Sequence, residues 1–264
     1  MPRFHCPVPL AAGEVIDLPP GAARHVQVLR LQPCARITLF HGEPDGPGGE
    51  FEATVTRMGR SDVQVLVGAH HAIEREAPRA VHLLAGLTAN ERMDWLVEKA
   101  AELGAASLTP LLAERSVLKL KGERGDKKRA HWQAVAAAAC EQCGRNRVPP
   151  VHEAMDLAGW LAAHGRAPAD PGAPATRLVL SLMPEARPLR DAVPPAGAVW
   201  LLSGPEGGLT AEEVAASMLR WFRARRLTGL GASTLKALRD LDAGCHWALA
   251  GREGERAAGK SERR

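Results

Sequence analysis

No stretch of this sequence stays apolar for the length of a membrane span, and its first residues, MPRFHCPVPLAAGEV, place no apolar segment behind a basic start. The expectation is a cytoplasmic protein with no membrane partner. Cysteine is scarce and odd in number, at five, which argues for reduced thiols rather than a disulfide framework. Cys140 and Cys143 form one C-x-x-C after the helical run RAHWQAVAAAAC, but no second C-x-x-C and no His pair stands at zinc spacing. No metal is expected, and the two thiols read as helix-packing residues. The glycine-rich stretches match neither G-x-G-x-x-G nor G-x-x-x-x-G-K-[ST], so neither a dinucleotide nor a triphosphate is the natural ligand. Internal repeats are also missing.

What is present is an ordinary globular composition, 45% hydrophobic and 24% charged over 264 residues, enough for one large domain or two smaller ones. The net charge is only +4, yet the basic residues are clustered, which permits a polyanionic partner without requiring one. Between residues 36 and 67 three short alternating strands, RITLF, FEATVTRM and SDVQVLVG, surround the turn HGEPDGPGGE, and GAARHVQVLRL ahead of them reads as a helix. HHAIEREAP reads as a linker. Strands then alternate with helices: AVHLLAGL, a helix over 91–103, SLTPLLA, a helix over about 127–142, TRLVLSLM, AVWLLSG and a helix over about 210–223. That rhythm is the mark of an α/β domain with a parallel sheet. The organisation expected is a small β module over residues 1–72 followed by an α/β domain over 73–264.

The most informative stretch is WLLSGPEGGLTAEEV. A short apolar run fits a buried strand, and Thr210 with Glu213 three residues on reads as a capping box that opens a helix. Between them Gly204, Gly207 and Gly208 clear side chains from the backbone, and Pro205 stiffens the turn. Such a turn suits close approach to a ligand, and it suits an ordinary strand-to-helix connection equally well.

Four blocks in order carry a family resemblance: RHVQVLRLQPCARITLFHG, ERMDWLVEKAAELGAASLTPLLAERSV, KKRAHWQAVAAAACEQCGRNRVPPV and LLSGPEGGLTAEEV. Together they resemble the bacterial 16S ribosomal RNA uridine N3-methyltransferases of the SPOUT superfamily, the RsmE-like proteins. The resemblance implies a PUA-like β-barrel that binds RNA, then a SPOUT α/β methyltransferase domain with a trefoil knot over about 177–250. It implies S-adenosylmethionine as cofactor, 16S rRNA of the small ribosomal subunit as partner, and a homodimer, with Leu219, Trp221 and Phe222 as candidate contact residues. The cofactor would lie on Gly204, Pro205, Glu206, Gly207 and Gly208. Leu180, Leu182, Met183, Leu201 and Leu230 would supply apolar surface, and Gly231 and Leu235 match the family pattern that follows. There the chain reads LGASTLKALRD, with Ser233 and Lys236 where the family has arginines and with Leu238 and Arg239 in place of its glutamate and threonine.

Uridine N3 carries a proton on the Watson–Crick edge, so its methylation requires an exposed base and a route for that proton. Glu206 and Glu141 are the candidate carboxylates for proton removal or for contact with the cofactor's positive charge, and each also reads as a helix-end or loop charge. Arg145 is the candidate RNA contact nearest the chemistry, with an ordinary salt bridge as the alternative. Lys127, Lys128, Arg129 and Arg147 complete the candidate RNA surface, against a merely solvated face. Two readings stay open: an active methyltransferase, or an RNA-binding protein of the same fold that has lost turnover.

Overall fold

The computed structural model describes residues 1–264 except 47, 119, 121, 165–175, 181–187, 221–225 and 228–264. Leu182, Met183, Trp221, Phe222, Leu230, Gly231 and Leu235 therefore lie outside the described residues, as does most of the expected knot segment.

The N-terminal part is one five-stranded sheet. It comprises β1 (Arg3–His5), β2 (Val15–Asp17), β3 (Arg36–Phe40), β4 (Glu50–Met58) and β5 (Val63–His71), in the order β1-β3-β4-β5-β2. β1 runs parallel to β3, and the other pairings are antiparallel. Alternation does the sorting: Ala53 and Val55 of β4 and Val63 and Val65 of β5 point into one core with Phe4, Ile37 and Leu39. Helix α1 (Pro20–Val28) closes that core with Ala22, Ala23 and Val26. Its first residue is a proline, which fits a position whose N–H has no helical acceptor.

The rest of the chain builds a second sheet from β6 (Val81–Gly86), β7 (Ser107–Leu112), β8 (Met155–Asp156), β9 (Thr176–Leu180), β10 (Val199–Ser203) and β11 (Arg226–Leu227). The order is β11-β9-β10-β6-β7-β8, and every pairing is parallel. Short apolar runs such as VHLLAG and VWLLS are what a strand covered on both faces needs. One face packs on α2 (Asn90–Glu102) and α3 (Glu123–Cys143), with Met93, Val97, Trp132 and Ala136 against Leu83 and Leu201. The other face packs on α4 (Leu157–His164) and α6 (Ala211–Arg220), with Trp160 and Leu161 against Leu84, Val179 and Leu202. A short helix, α5 (Leu189–Ala192), precedes β10. Trp132 is fully buried, and its Nε1–H donates to Asp94 Oδ1 at 3.0 Å, which fixes α3 against α2.

The stretch read as a linker is instead a seam. Residues 74–76 alternate charge, and each finds a partner. Glu74 accepts from Arg147 Nε at 2.8 Å, and Arg75 Nη1 donates to Glu50 at 2.9 Å and to the Gly144 carbonyl at 3.1 Å. Glu76 Oε2 accepts from Arg145 Nε at 3.0 Å. From the first strand Arg3 pairs with Glu50 and donates to Asn146 Oδ1 at 2.7 Å and to the Gly144 carbonyl at 3.2 Å. Burial raises the carboxyl of Glu50, but hydrogen bonds and charge from Arg75 and Arg3 outweigh it and hold the group below the usual carboxylate range.

Three expectations change here. Arg145, placed among the RNA contacts, is 5% exposed, with Nη1 donating to the Ala101 carbonyl at 2.7 Å and the rest of its guanidinium on Glu76. Arg147 is likewise committed to Glu74 and to the Pro44 carbonyl. Glu141, a candidate base, accepts from the His5 backbone N–H at 2.8 Å and faces His25 Nδ1 at 3.1 Å, so it pins α3 to β1. In each case a partner distant in sequence has claimed the charge.

Candidate cofactor site at the glycine turn

β10 ends at Ser203, and the chain turns through Gly204–Leu209 into α6. The capping box forms as the sequence dictates: Glu213 Oε2 accepts from the Thr210 N–H at 2.9 Å, and Thr210 Oγ1 accepts from the Glu213 N–H at 3.2 Å. The turn stands at the C-terminal ends of the parallel strands. From β6 the chain moves towards β7, whereas from β10 it moves to the other side, towards β11. Ligands of open parallel sheets bind in the crevice that such a reversal opens.

Close packing fixes the turn's shape. A Cβ on Gly204 would lie 2.7 Å from the Leu209 nitrogen and 2.8 Å from the Gly208 carbonyl carbon, so only glycine fits. A Cβ on Gly86, the last residue of β6, would strike Pro205 and Gly204. Gly208 adopts φ +70, the left-handed region, with open space where its side chain would be. Here is a cradle of bare backbone, and it fits a ligand held by main-chain groups.

Two neighbouring loops clamp the turn. On the β6 side Glu206 Oε1 accepts from the Ala89 N–H at 3.0 Å and from Arg92 Nη1 at 3.4 Å. On the β7 side Arg115 Nη1 donates to the Gly207 carbonyl at 2.8 Å, and Glu213 Oε1 accepts from the Glu114 N–H at 2.8 Å. A groove of about 320 Å³ opens behind that second clamp, between Leu112, Glu114, Asp156, Leu161, Glu213 and Ala216. Burial raises the Glu206 carboxyl, but the backbone N–H groups of Ala89 and Glu206 and the charge of Arg92 together outweigh it and lower it. A carboxylate held in its charged form is a weak proton acceptor, so Glu206 suits the holding of the turn or of a cation better than the role of general base.

The expected site residues separate into groups. Gly204, Pro205, Glu206, Gly207 and Gly208 form the turn, and Leu180 ends β9 one residue past the Leu202–Val179 pair, beside it. Leu201, expected on the ligand surface, is instead fully buried in the core shared with α2 and α3. It lies two residues before the end of β10, where α2 and α3 cover it. Arg145 is remote within one chain: it bonds to Ala101 near the end of α2, whereas Glu206 bonds to Ala89 just before its start, and twelve residues of helix span about 18 Å. Lys127 and Arg129 project from the first turns of α3 and are exposed, Lys128 is half-buried, and Lys127 makes only a 3.9 Å pair with exposed Glu123 among the described residues. Sequence reasoning missed Gly86, Ala89, Arg92 and Arg115. A glycine closing an otherwise apolar strand was the one available signal, since it marks close backbone approach.

Residues 75–237 match the family model described as an RNA methyltransferase domain. The chain is 29% identical over 177 residues to ribosomal RNA small subunit methyltransferase E of Bacillus subtilis, a match covering 63% of this chain and 65%, just under two thirds, of that protein. It is 30% identical over 189 residues to the protein of the same name from Mycobacterium bovis, covering 72% of this chain and 69% of the relative. Among solved structures, ribosomal RNA small subunit methyltransferase E from Neisseria gonorrhoeae, bound to S-adenosyl methionine, superposes with a TM-score of 0.80 at 32% identity, over 90% of this chain and 95% of the other. A family model matching most of the chain, with these relatives beside it, shows that this protein belongs to the RNA methyltransferase domain family, among the small subunit methyltransferase E proteins.

Proposed function

We propose that this protein is an S-adenosylmethionine-dependent methyltransferase that modifies N3 of a uridine in 16S rRNA of the small ribosomal subunit. The observation that carries the reading is the bare-backbone turn at the crevice of the parallel sheet, clamped by Glu206 and Arg115, in a chain whose family relatives are named as rRNA methyltransferases. Bound there, the cofactor supplies an electrophilic methyl group. Gly204, Pro205, Glu206, Gly207 and Gly208 hold it through main-chain groups, with Leu180 as apolar wall. The clamps keep those groups in place before the ligand arrives, so that little ordering remains to be done on binding. The N-terminal sheet, residues 1–72, acts as a PUA-like β-barrel for RNA, and residues 73–264 form the SPOUT domain with its C-terminal knot; the working form is a cytoplasmic homodimer.

The test is methylation of small ribosomal subunits with labelled cofactor, followed by primer extension. A methyl group on N3 blocks the pairing edge. A cofactor-dependent stop at a uridine of 16S rRNA is the expected result; label without such a stop removes the N3 assignment.

Two measurements refine the reading. Arg115→Ala removes one hydrogen bond to Gly207, worth about 0.5–1.5 kcal/mol net, so cofactor affinity by calorimetry should fall about 2- to 10-fold with little change in melting temperature. RNA affinity is expected to rest on phosphate contacts from Lys127, Lys128 and Arg129. Neutralising all three should reduce the slope of log affinity against log salt by about one unit for each phosphate no longer engaged, with cofactor affinity unchanged. An unchanged slope would make this stretch a solvated face.

A further inference from the structure

We propose that Cys140 and Cys143 form a reversible oxidative modification site, a thiol pair that a hydroperoxide converts to an intramolecular disulfide at the seam between the two sheets. Cys143 is the last residue of α3 and is exposed, and Cys140 lies one turn earlier on the same helix face, fully buried. The single proton of the Cys140 thiol is shared between the Cys143 sulfur beside it and the Arg147 carbonyl at 3.5 Å. The helix stops immediately afterwards at Gly144, whose φ of 90 lets the backbone reverse.

The surroundings divide the labour between the two sulfurs. A helix C-terminus disfavours a thiolate. Against that, Cys143 receives a hydrogen bond from Cys140, then suffers partial burial, then gains the Arg145 backbone N–H and the nearby Arg145 charge; the balance brings it down to about 6. Cys140 is pushed up by its role as donor to Cys143 and by burial. Cys143 is thus the attacking sulfur and Cys140 the resolving one. Elsewhere Cys6 is buried and raised to about 12, and Cys34 stands exposed on a separate loop before β3.

The chemistry balances in two steps. The Cys143 thiolate attacks one oxygen of the hydroperoxide; the S–O bond forms, the O–O bond breaks, and the departing alkoxide takes a proton as alcohol, or as water from hydrogen peroxide. Cys140 sulfur then attacks the Cys143 sulfenic acid; the S–S bond forms, the S–O bond breaks, and hydroxide leaves with the Cys140 proton as water. Two electrons pass from the thiols to the peroxide, and a dithiol reductant reverses the result.

Drawing Cys140 towards Cys143 costs its bond to Arg147 and twists the turn that presents the Gly144 carbonyl to Arg3 and Arg75. Oxidation therefore acts on the seam.

The reduced full chain, treated with a small excess of hydrogen peroxide and mapped by mass spectrometry, should lose two hydrogens in the peptide joining Cys140 to Cys143 before Cys34 reacts, and dithiothreitol should restore it. Cys143→Ser should abolish the change, and Cys140→Ser should leave a sulfenic acid on Cys143 that dimedone traps. Because Cys140→Ser touches the core, a second readout uses the unaltered chain: alkylation of Cys143 by iodoacetamide should reach half its limiting rate near pH 6. Oxidation of Cys34 ahead of the pair, or an alkylation midpoint for Cys143 above that of Cys34, overturns the proposal.

Discussion

Gly204→Ala is expected to weaken S-adenosylmethionine binding by about 10- to 100-fold while the N-terminal sheet stays folded. The added methyl would meet the Leu209 nitrogen at 2.7 Å and the Gly208 carbonyl carbon at 2.8 Å. Both are backbone atoms of the same turn and cannot swing aside as the end of a side chain could. Forcing a methyl into so tight a place costs about 1–3 kcal/mol, and each 1.4 kcal/mol is about a factor of ten in affinity. The cost falls on ligand binding because relief requires the turn to open, and opening displaces the main-chain groups that face the crevice. Gly208→Ala is the control. Nothing lies within 4 Å of its Cβ direction, so the penalty there is only that of φ +70 for an L residue, about 1–2 kcal/mol. Calorimetry on both variants should rank them Gly204 worse than Gly208; equal affinities for Gly204→Ala and the unaltered chain would remove the turn from the site.

That turn was legible because every signal in it is local. An apolar run, glycines at close spacing and Thr210 with Glu213 specify strand, turn and capped helix within 15 residues, and all three form. The parallel sheet was legible for a related reason, since strands buried on both faces show as short apolar runs. The elements that escaped were those with too few residues to show a period. β1 has 3 residues and β8 has 2, and α4 is apolar on most sides, so no polar face marks it as a helix. α3 starts at Glu123 rather than near 127 because Glu123 and Asp126 sit well at the positive end of a helix. The side-chain partners that the sequence did not show are those far away along the chain. Arg145 stands in a basic stretch that reads as an RNA contact, but Glu76, 69 positions earlier in an apparent linker, holds it. Leu201 is covered by α2 and α3, whose residues are likewise distant in the sequence.

Glu76→Ala is expected to destabilise the fold by about 3–5 kcal/mol, the usual cost of stripping one partner from a buried ion pair. Arg145 is 5% exposed, and Glu76 accepts from its Nε at 3.2 and 3.0 Å through both carboxylate oxygens. With the carboxylate gone the guanidinium keeps, among the described residues, only the Ala101 carbonyl on Nη1, and an arginine cannot escape by giving up its proton. Burial lowers Arg145, but the hydrogen bonds and charge of Glu76 outweigh it and leave it above its ordinary value, so the cation is the form the fold is built around. The loss should lower the melting temperature by about 6–20 °C, at about 2–4 °C per kcal/mol for a chain of this size. Glu76→Gln, which keeps an acceptor but not the charge, should recover part of it. The cation of the neighbouring pair behaves differently: Arg75 is 41% exposed on its side chain, and Glu50 keeps Arg3 when Arg75 is removed; pairs open to solvent are worth about 0–1 kcal/mol, so Arg75→Ala should move the melting temperature far less. Thermal denaturation of the three variants separates the two classes. Glu76→Ala melting within a degree or two of the unaltered chain would mean that water reaches Arg145, and that this ion pair does not anchor the N-terminal sheet to the methyltransferase fold.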